Sequence, residues 1–173
     1  MAHYPHPDST PLSVSCAVIT VSDTRTPESD RSGQLIQRLL TGAGHRPVSY
    51  TVLKDDPQEV CARIVELAGQ VPIDAIILNG GTGIAPRDTT YEAIAQLLEK
   101  TLPGFGELFR WLSYQEVGSR AMASRAIAGI YKQRLIFSLP GSTNAVQLGM
   151  EKLIIPELAH LVRQINPERG TAT

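Results

Sequence analysis

The chain has 173 residues, 42% of them hydrophobic and 19% charged, with a formal net charge of -1. That size and balance suit one compact domain burying about 70% of the unfolded chain's surface, and the lack of a basic excess argues against a dedicated nucleic-acid binder. Cys16 and Cys61 show no CxxC or pairing pattern, and His3, His6, His45 and His160 are scattered, which disfavours a disulfide framework or a cysteine–histidine metal site. No apolar run reaches the roughly 18 residues that a membrane crossing needs. The opening MAHYPHPDSTP has neither a basic start nor an apolar core, so residues 1–12 read as a flexible tail rather than a signal peptide. Residues 13–166 read as a single domain and 167–173 as a second tail, in a cytoplasmic protein.

SVSCAVITVS, residues 13–22, is apolar on both alternate sets of positions: Val14, Cys16 and Val18 on one side, Ala17, Ile19 and Val21 on the other. A strand buried on both faces belongs to a parallel sheet covered by helices. After the turn-rich DTRTPES, Asp30 can cap a helix carrying Leu35, Ile36, Leu39 and Leu40, which GAGHRP ends. PVSYTVL is a second strand. A helix with Val60, Ile64, Leu67 and Ala68 at helical spacing follows, then a strand ending at Asn79. TTYEAIAQLLEK begins another helix, with Thr89 or Thr90 as cap. Phe105 and Phe109 stand four apart on a further helix and read as core. AIAGIYKQRLIFSLP is two strands around a turn at Lys132-Gln133, adding an antiparallel edge. The chain closes on a helix, STNAVQLGMEKLIIPELAHLVRQI, kinked or broken at Pro156. The expected fold is α/β: a three-layer αβα sandwich with a mostly parallel mixed sheet.

Ligands of open α/β sheets collect beyond the carboxyl ends of the strands, and SDTRT, KDD, NGGTGIAPRD and LPGST all fall there. The glycine run Gly80-Gly81-Thr82-Gly83 matches neither GxxxxGK[ST] nor GxGxxG, and alone it favours a structural turn over an anion-holding loop. The nearby acids, Asp55 and Asp88, form the pair a Mg²⁺-nucleotide site requires, because Mg²⁺ takes one or two carboxylates plus phosphate oxygens. Each also has a plain alternative. Asp88 can cap the helix at TTYEAI, and Asp55 or Asp56 the helix at Pro57.

Together these pieces resemble the MoaB/MogA family of molybdenum cofactor biosynthesis proteins. The resemblance runs from Val14 to about Val162, through TVSD (residues 20–23), DRSG (30–33), NGGTGIAPRDTTYEA, PGFGELFR (103–110), SRAIAG (124–129) and LPGST (139–143). LSYQEVGSRAMASRAIAG and PGST look closer to the MoaB branch. The resemblance implies molybdopterin as substrate, ATP as co-substrate, Mg²⁺ as cofactor and a homotrimer or hexamer, with other molybdenum cofactor enzymes as further partners. The implied activity is a molybdopterin adenylyltransferase.

On this resemblance Asp55 and Asp88 are the catalytic, metal-holding pair. Gly80, Gly81, Thr82 and Gly83 lie at a phosphate, and Ser124, Arg125 and Ser142 near the pterin. Ser22, Asp23, Asp30, Gly33, Arg87, Glu107, Arg110, Pro140 and Gly141 complete the substrate- and nucleotide-binding set. Arg125 is expected to grip the anionic pterin rather than the nucleotide. The alternative function is a molybdopterin carrier or scaffold without catalysis. Retention of both acids favours the enzyme.

Overall fold

A computed structural model describes residues 11–170 apart from residue 71, so the expected N-terminal tail lies almost wholly outside the described residues. The doubly apolar segment becomes β1 (Ser15–Val21), every residue of it buried. Helix α1 (Arg31–Gly42) leads to β2 (Arg46–Leu53), and α2 (Pro57–Ala68) to β3 (Ala75–Gly80). Then come α3 (Thr90–Leu97), β4 (Lys100–Thr101) and α4 (Pro103–Val117), followed by a 3₁₀ turn (Gly118–Ala123). β5 (Ile127–Tyr131), β6 (Arg134–Leu139), α5 (Thr143–Gly149), a π turn (Met150–Ile154) and α6 (Ile155–Ile165) complete the domain.

The sheet runs β2-β1-β3-β6-β5-β4. β2, β1, β3 and β6 are mutually parallel, and β5 is antiparallel to both its neighbours. The two side-chain sets of β1 feed two cores. Cys16 and Val18 meet Ile36, Leu40, Phe105, Phe109, Val146, Leu158 and Val162 from α1, α4, α5 and α6. Ala17, Ile19 and Val21 meet Val60, Ile64, Leu67 and Ile94 from α2 and α3. This is the expected αβα sandwich. Burial pushes the Cys16 thiol far up, as suits an inert core group.

One detail departs from expectation. The antiparallel strand β5 is not the edge, because the α3 helix stops at Leu97 and Lys100-Thr101 pairs outside it. Gly129 permits this, since a Cβ there would lie 2.3 Å from the Lys100 carbonyl oxygen. The closing helix is interrupted just before Pro156, where a π turn separates α5 from α6. The π turn just before α6 loosens the ladder where proline lacks an amide donor. Residues 167–170, in the expected C-terminal tail, form a short 3₁₀ turn. The β5–β6 hairpin turns at Lys132-Gln133 as foreseen, with φ of 45° and 59°, the positive pair of a tight two-residue turn.

Candidate active site at the strand ends

The chain leaves β1 for β2 on one side, then returns past β1 to place β3 on the other. The strand order therefore switches direction between β1 and β3, and ligands of open sheets bind beyond the carboxyl ends at such a point. The glycines after β3 are dictated by crowding. Gly80 has φ of 94° and Gly81 φ of 67°, and a Cβ on Gly80 would sit 2.1 Å from the Val21 carbonyl oxygen. A Cβ on Gly83 would lie 2.2 Å from Asp88 Oδ2, so that carboxylate folds back under the loop.

The alternatives for the acids are resolved by their hydrogen bonds. Asp56 caps α2, accepting from the Gln58 and Glu59 amides at 2.8 and 3.1 Å. Its neighbour Asp55 is thereby released. Asp55 Oδ1 instead accepts from the Thr90 hydroxyl at 2.6 Å, and its amide donates to Asp23 Oδ1 at 3.1 Å. Asp88 is not a cap either. Its Oδ2 accepts from the Ala85 amide at 2.9 Å, while Thr89, at the cap position of α3, makes no side-chain cap bond. Arg87 reaches Asp23 at 3.3 Å and lies 3.8 Å from Asp88 Oδ1. Asp23, Asp55, Arg87, Asp88 and Thr90 thus link the ends of β1, β2 and β3.

Asp30, expected among the ligand contacts, has different surroundings. It is fully buried. Oδ2 accepts from Thr20 at 2.6 Å and from the Tyr50 hydroxyl at 2.7 Å; Oδ1 accepts from the Gly33 amide at 3.1 Å and from Ser32 at 3.3 Å. Arg25 stands 3.6 Å away. Burial alone would raise its carboxyl, but the bonds from Thr20, Tyr50 and Gly33, with the Arg25 charge, outweigh that and hold it below the usual range. Burial and the Asp30 bond together drive the Tyr50 phenol far up. Gly33 is likewise a packing position: a Cβ would meet Asp30 Oδ2 at 2.1 Å.

The loop after β6 is tied to this side. Arg25 donates to Ser32 at 2.6 Å and to the Gly141 carbonyl at 2.9 Å, and Ser142 caps α5 by accepting from the Ala145 amide at 3.2 Å. Gly141 lies close against Gly80, next to half-buried Pro140. Ser22 accepts from the Arg25 amide at 3.2 Å and shapes the first loop.

Arg125 does not stand free for a pterin. Its guanidinium is held by the carbonyls of Thr82 and Gly83 and by the Glu92 carboxylate. Half-buried Ser124 donates its amide to Ala121. Glu107 and Arg110 lie on α4, and no hydrogen bond among the described residues ties either to the strand-end loops; Arg110 instead lines an apolar groove with Trp111, Tyr114 and Met122. Arg25, Tyr50, Thr90 and Glu92 went unmarked as site residues. Arg25 lies in the SDTRT loop after the first strand and Thr90 and Glu92 in the NGGTGIAPRDTTYEA stretch, whereas Tyr50 carried no such signal.

The donor set suits Mg²⁺ held partly by phosphate. Among the described residues no cluster of three or more His, Cys, Asp or Glu side chains forms a closed metal cage. Asp55 and Asp88 are half-buried, Asp55 Oδ2 accepts no hydrogen bond among the described residues, and Asp88 Oδ1 has only Arg87 beside it. Two such oxygens leave most of an octahedral shell to water and phosphate.

Residues 17–160 match the family model described as a probable molybdopterin binding domain. The chain belongs to this family of molybdenum cofactor biosynthesis proteins. It is 51% identical over 165 residues to the molybdenum cofactor biosynthesis protein B of Halalkalibacterium halodurans, covering 95% of this chain and 97% of that protein. A crystal structure of a molybdenum cofactor biosynthesis protein B superposes with a TM-score of 0.89 at 47% identity, covering 91% of this chain and 99% of that one. The tungsten cofactor synthesizing protein MoaB of Pyrococcus furiosus gives 0.80 at 38% identity, over 90% and 99%. These relatives support involvement in molybdenum cofactor biosynthesis, and the family description supports molybdopterin as the small molecule bound. Among the described residues no helix is long and apolar enough to cross a membrane.

Proposed function

We propose that the protein adenylylates molybdopterin with Mg-ATP, giving adenylyl-molybdopterin and pyrophosphate. The observation that carries this is the release of Asp55 from helix capping by Asp56, which brings its carboxylate to Thr90, two residues beyond Asp88 and its glycine loop. In the reaction an oxygen of the pterin's phosphate forms a bond to the α-phosphorus of ATP. The bond from that phosphorus to its bridging oxygen breaks, and pyrophosphate leaves with the electron pair. A phosphate monoester is already ionised at neutral pH, so no strong base is required, in keeping with the lack of a Ser-His-Asp or Cys-His set among the described residues.

What the chain must supply is position and charge. Asp55 and Asp88 would hold the magnesium ion, which when bound offsets charge on the phosphate oxygens. The glycine loop offers backbone amides at close approach. Arg87, 77% exposed on its side chain, adds a cation at the mouth. Incubating the protein with molybdopterin and Mg-ATP should yield the adenylylated pterin and pyrophosphate in equal amounts; molybdopterin binding with no product would leave a carrier.

The working form is proposed to be a homotrimer or a pair of trimers. On α4, Phe109 is buried, but Trp111 and Tyr114 are 60% and 62% exposed, and Met122 just beyond is 84% exposed. Large side chains this bare along one groove suit a second copy of the chain. Light scattering should give a multiple of the 18.8 kDa chain mass; a stable monomer at micromolar concentration would remove the idea.

A further inference from the structure

In a trans peptide the carbonyl and the amide of one unit point in opposite directions. Arg125 enters from the start of β5 and grips the glycine loop by its carbonyls. Its Nε donates to the Thr82 oxygen at 3.1 Å, one terminal nitrogen donates to the Gly83 oxygen, and the same nitrogen stands 3.5 Å from the Asp88 oxygen. The other terminal nitrogen pairs with Glu92, and the guanidinium lies 4.5 Å from the centre of the Tyr91 ring. The bond from Arg125 holds the Glu92 carboxyl below its usual range.

With the Thr82 and Gly83 carbonyls turned toward Arg125, the amides of Gly83 and Ile84 are turned away from it. They belong to the same two peptide units. Neither donates to a protein acceptor among the described residues. We infer that Arg125 is a positioning residue: it aims the Gly83 and Ile84 amides at a phosphate of the nucleotide and touches neither substrate itself. This rests on the proposed role of the glycine loop as a phosphate holder. Only a guanidinium presents enough donors in a fixed fork to hold two carbonyls and a carboxylate at once; a lysine ammonium is a point charge.

The test compares Arg125→Lys with the wild type in three measurements: amide hydrogen exchange across residues 80–88, affinity for a non-hydrolysable ATP analogue with Mg²⁺, and affinity for molybdopterin. Loop exchange should quicken while β3 and α3 keep their protection. Affinity for the analogue should fall by about tenfold to a hundredfold, as when a site is displaced rather than removed, and molybdopterin affinity should hold. Unchanged loop exchange with weakened molybdopterin binding would overturn the inference and return Arg125 to the pterin. Faster loop exchange with unchanged affinity for the analogue would also overturn it, by removing the loop from the phosphate. Should Arg125→Lys not fold, Glu92→Gln, which removes only the charge of the half-exposed anchor, is scored by the same loop exchange, and no change there defeats the proposal. Failure of the enzyme reading looks different: wild-type protein that binds the analogue but forms no adenylyl product.

Discussion

Asp30 and Asp88 both follow strands of the parallel sheet at the same end of the molecule, yet their surroundings are opposite. Asp30 is sealed in, with Thr20, Tyr50, Ser32 and Gly33 donating to its two oxygens. Asp88 is half-buried, spends one oxygen on the Ala85 amide and keeps the other beside Arg87 alone. A carboxylate whose lone pairs are filled by its own chain holds the loop in place. One with a vacant oxygen beyond the strand ends has capacity left for a ligand.

The sharpest way to break this comparison is Asp88→Asn. The amide keeps an oxygen for the Ala85 bond but loses the charge that recruits a cation. Adenylylation should fall by roughly a hundredfold or more, the scale for one preorganised electrostatic group, with melting temperature and molybdopterin affinity nearly unchanged. Wild-type turnover would place Asp88 with Asp30 as a structural acid.

Asp30→Asn should show the reverse. One of the buried donors from Thr20, Tyr50, Ser32 and Gly33 then faces an amide NH₂ instead of an acceptor. Stability should drop by about 2 kcal/mol, read from the denaturant midpoint, while substrate affinity of the folded fraction is kept. Wild-type Asp30 should also give an acid signature. Its folded carboxyl is held below the unfolded value, so the unfolded chain takes up the proton first. The stabilisation is therefore complete above the unfolded carboxyl value of about 4 and is lost as pH falls through the folded one. Asp30→Asn should flatten that part of the stability–pH curve. An unaltered acid limb would show that Asp30 carries none of it.

The mildest effect is expected at Asp56, the residue beside Asp55 that caps α2. Asp56→Ala removes the bonds to the Gln58 and Glu59 amides and should cost about 1 kcal/mol. Adenylylation should survive in the folded protein. A loss of turnover as large as that of Asp88→Asn would mean that Asp56, not Asp55, serves the site.

That last pair shows how far the chain could be read before it was folded. Asp55 and Asp56 were equal candidates for a cap, although Pro57 at the first helical position already favours the residue directly before it. The two faces of β1, the helical faces of α1 and α2 and the hairpin at Lys132-Gln133 were legible, because each is a local periodicity or turn chemistry. β4 was not. Two residues, Lys100 and Thr101, carry no pattern of their own and are strand only because Gly129 lets them approach β5.

The sequence by itself determined the layered sheet, the glycine loop and the pool of acids and arginines at the strand ends. Tertiary structure decided which of them are spent. Asp30 is filled from Thr20 and Tyr50, Asp55 is met by Thr90, and Arg125 is drawn to Thr82 and Gly83. Apolar periodicity is a property of neighbours along the chain, whereas a free lone pair depends on donors that arrive from ten to more than forty residues away.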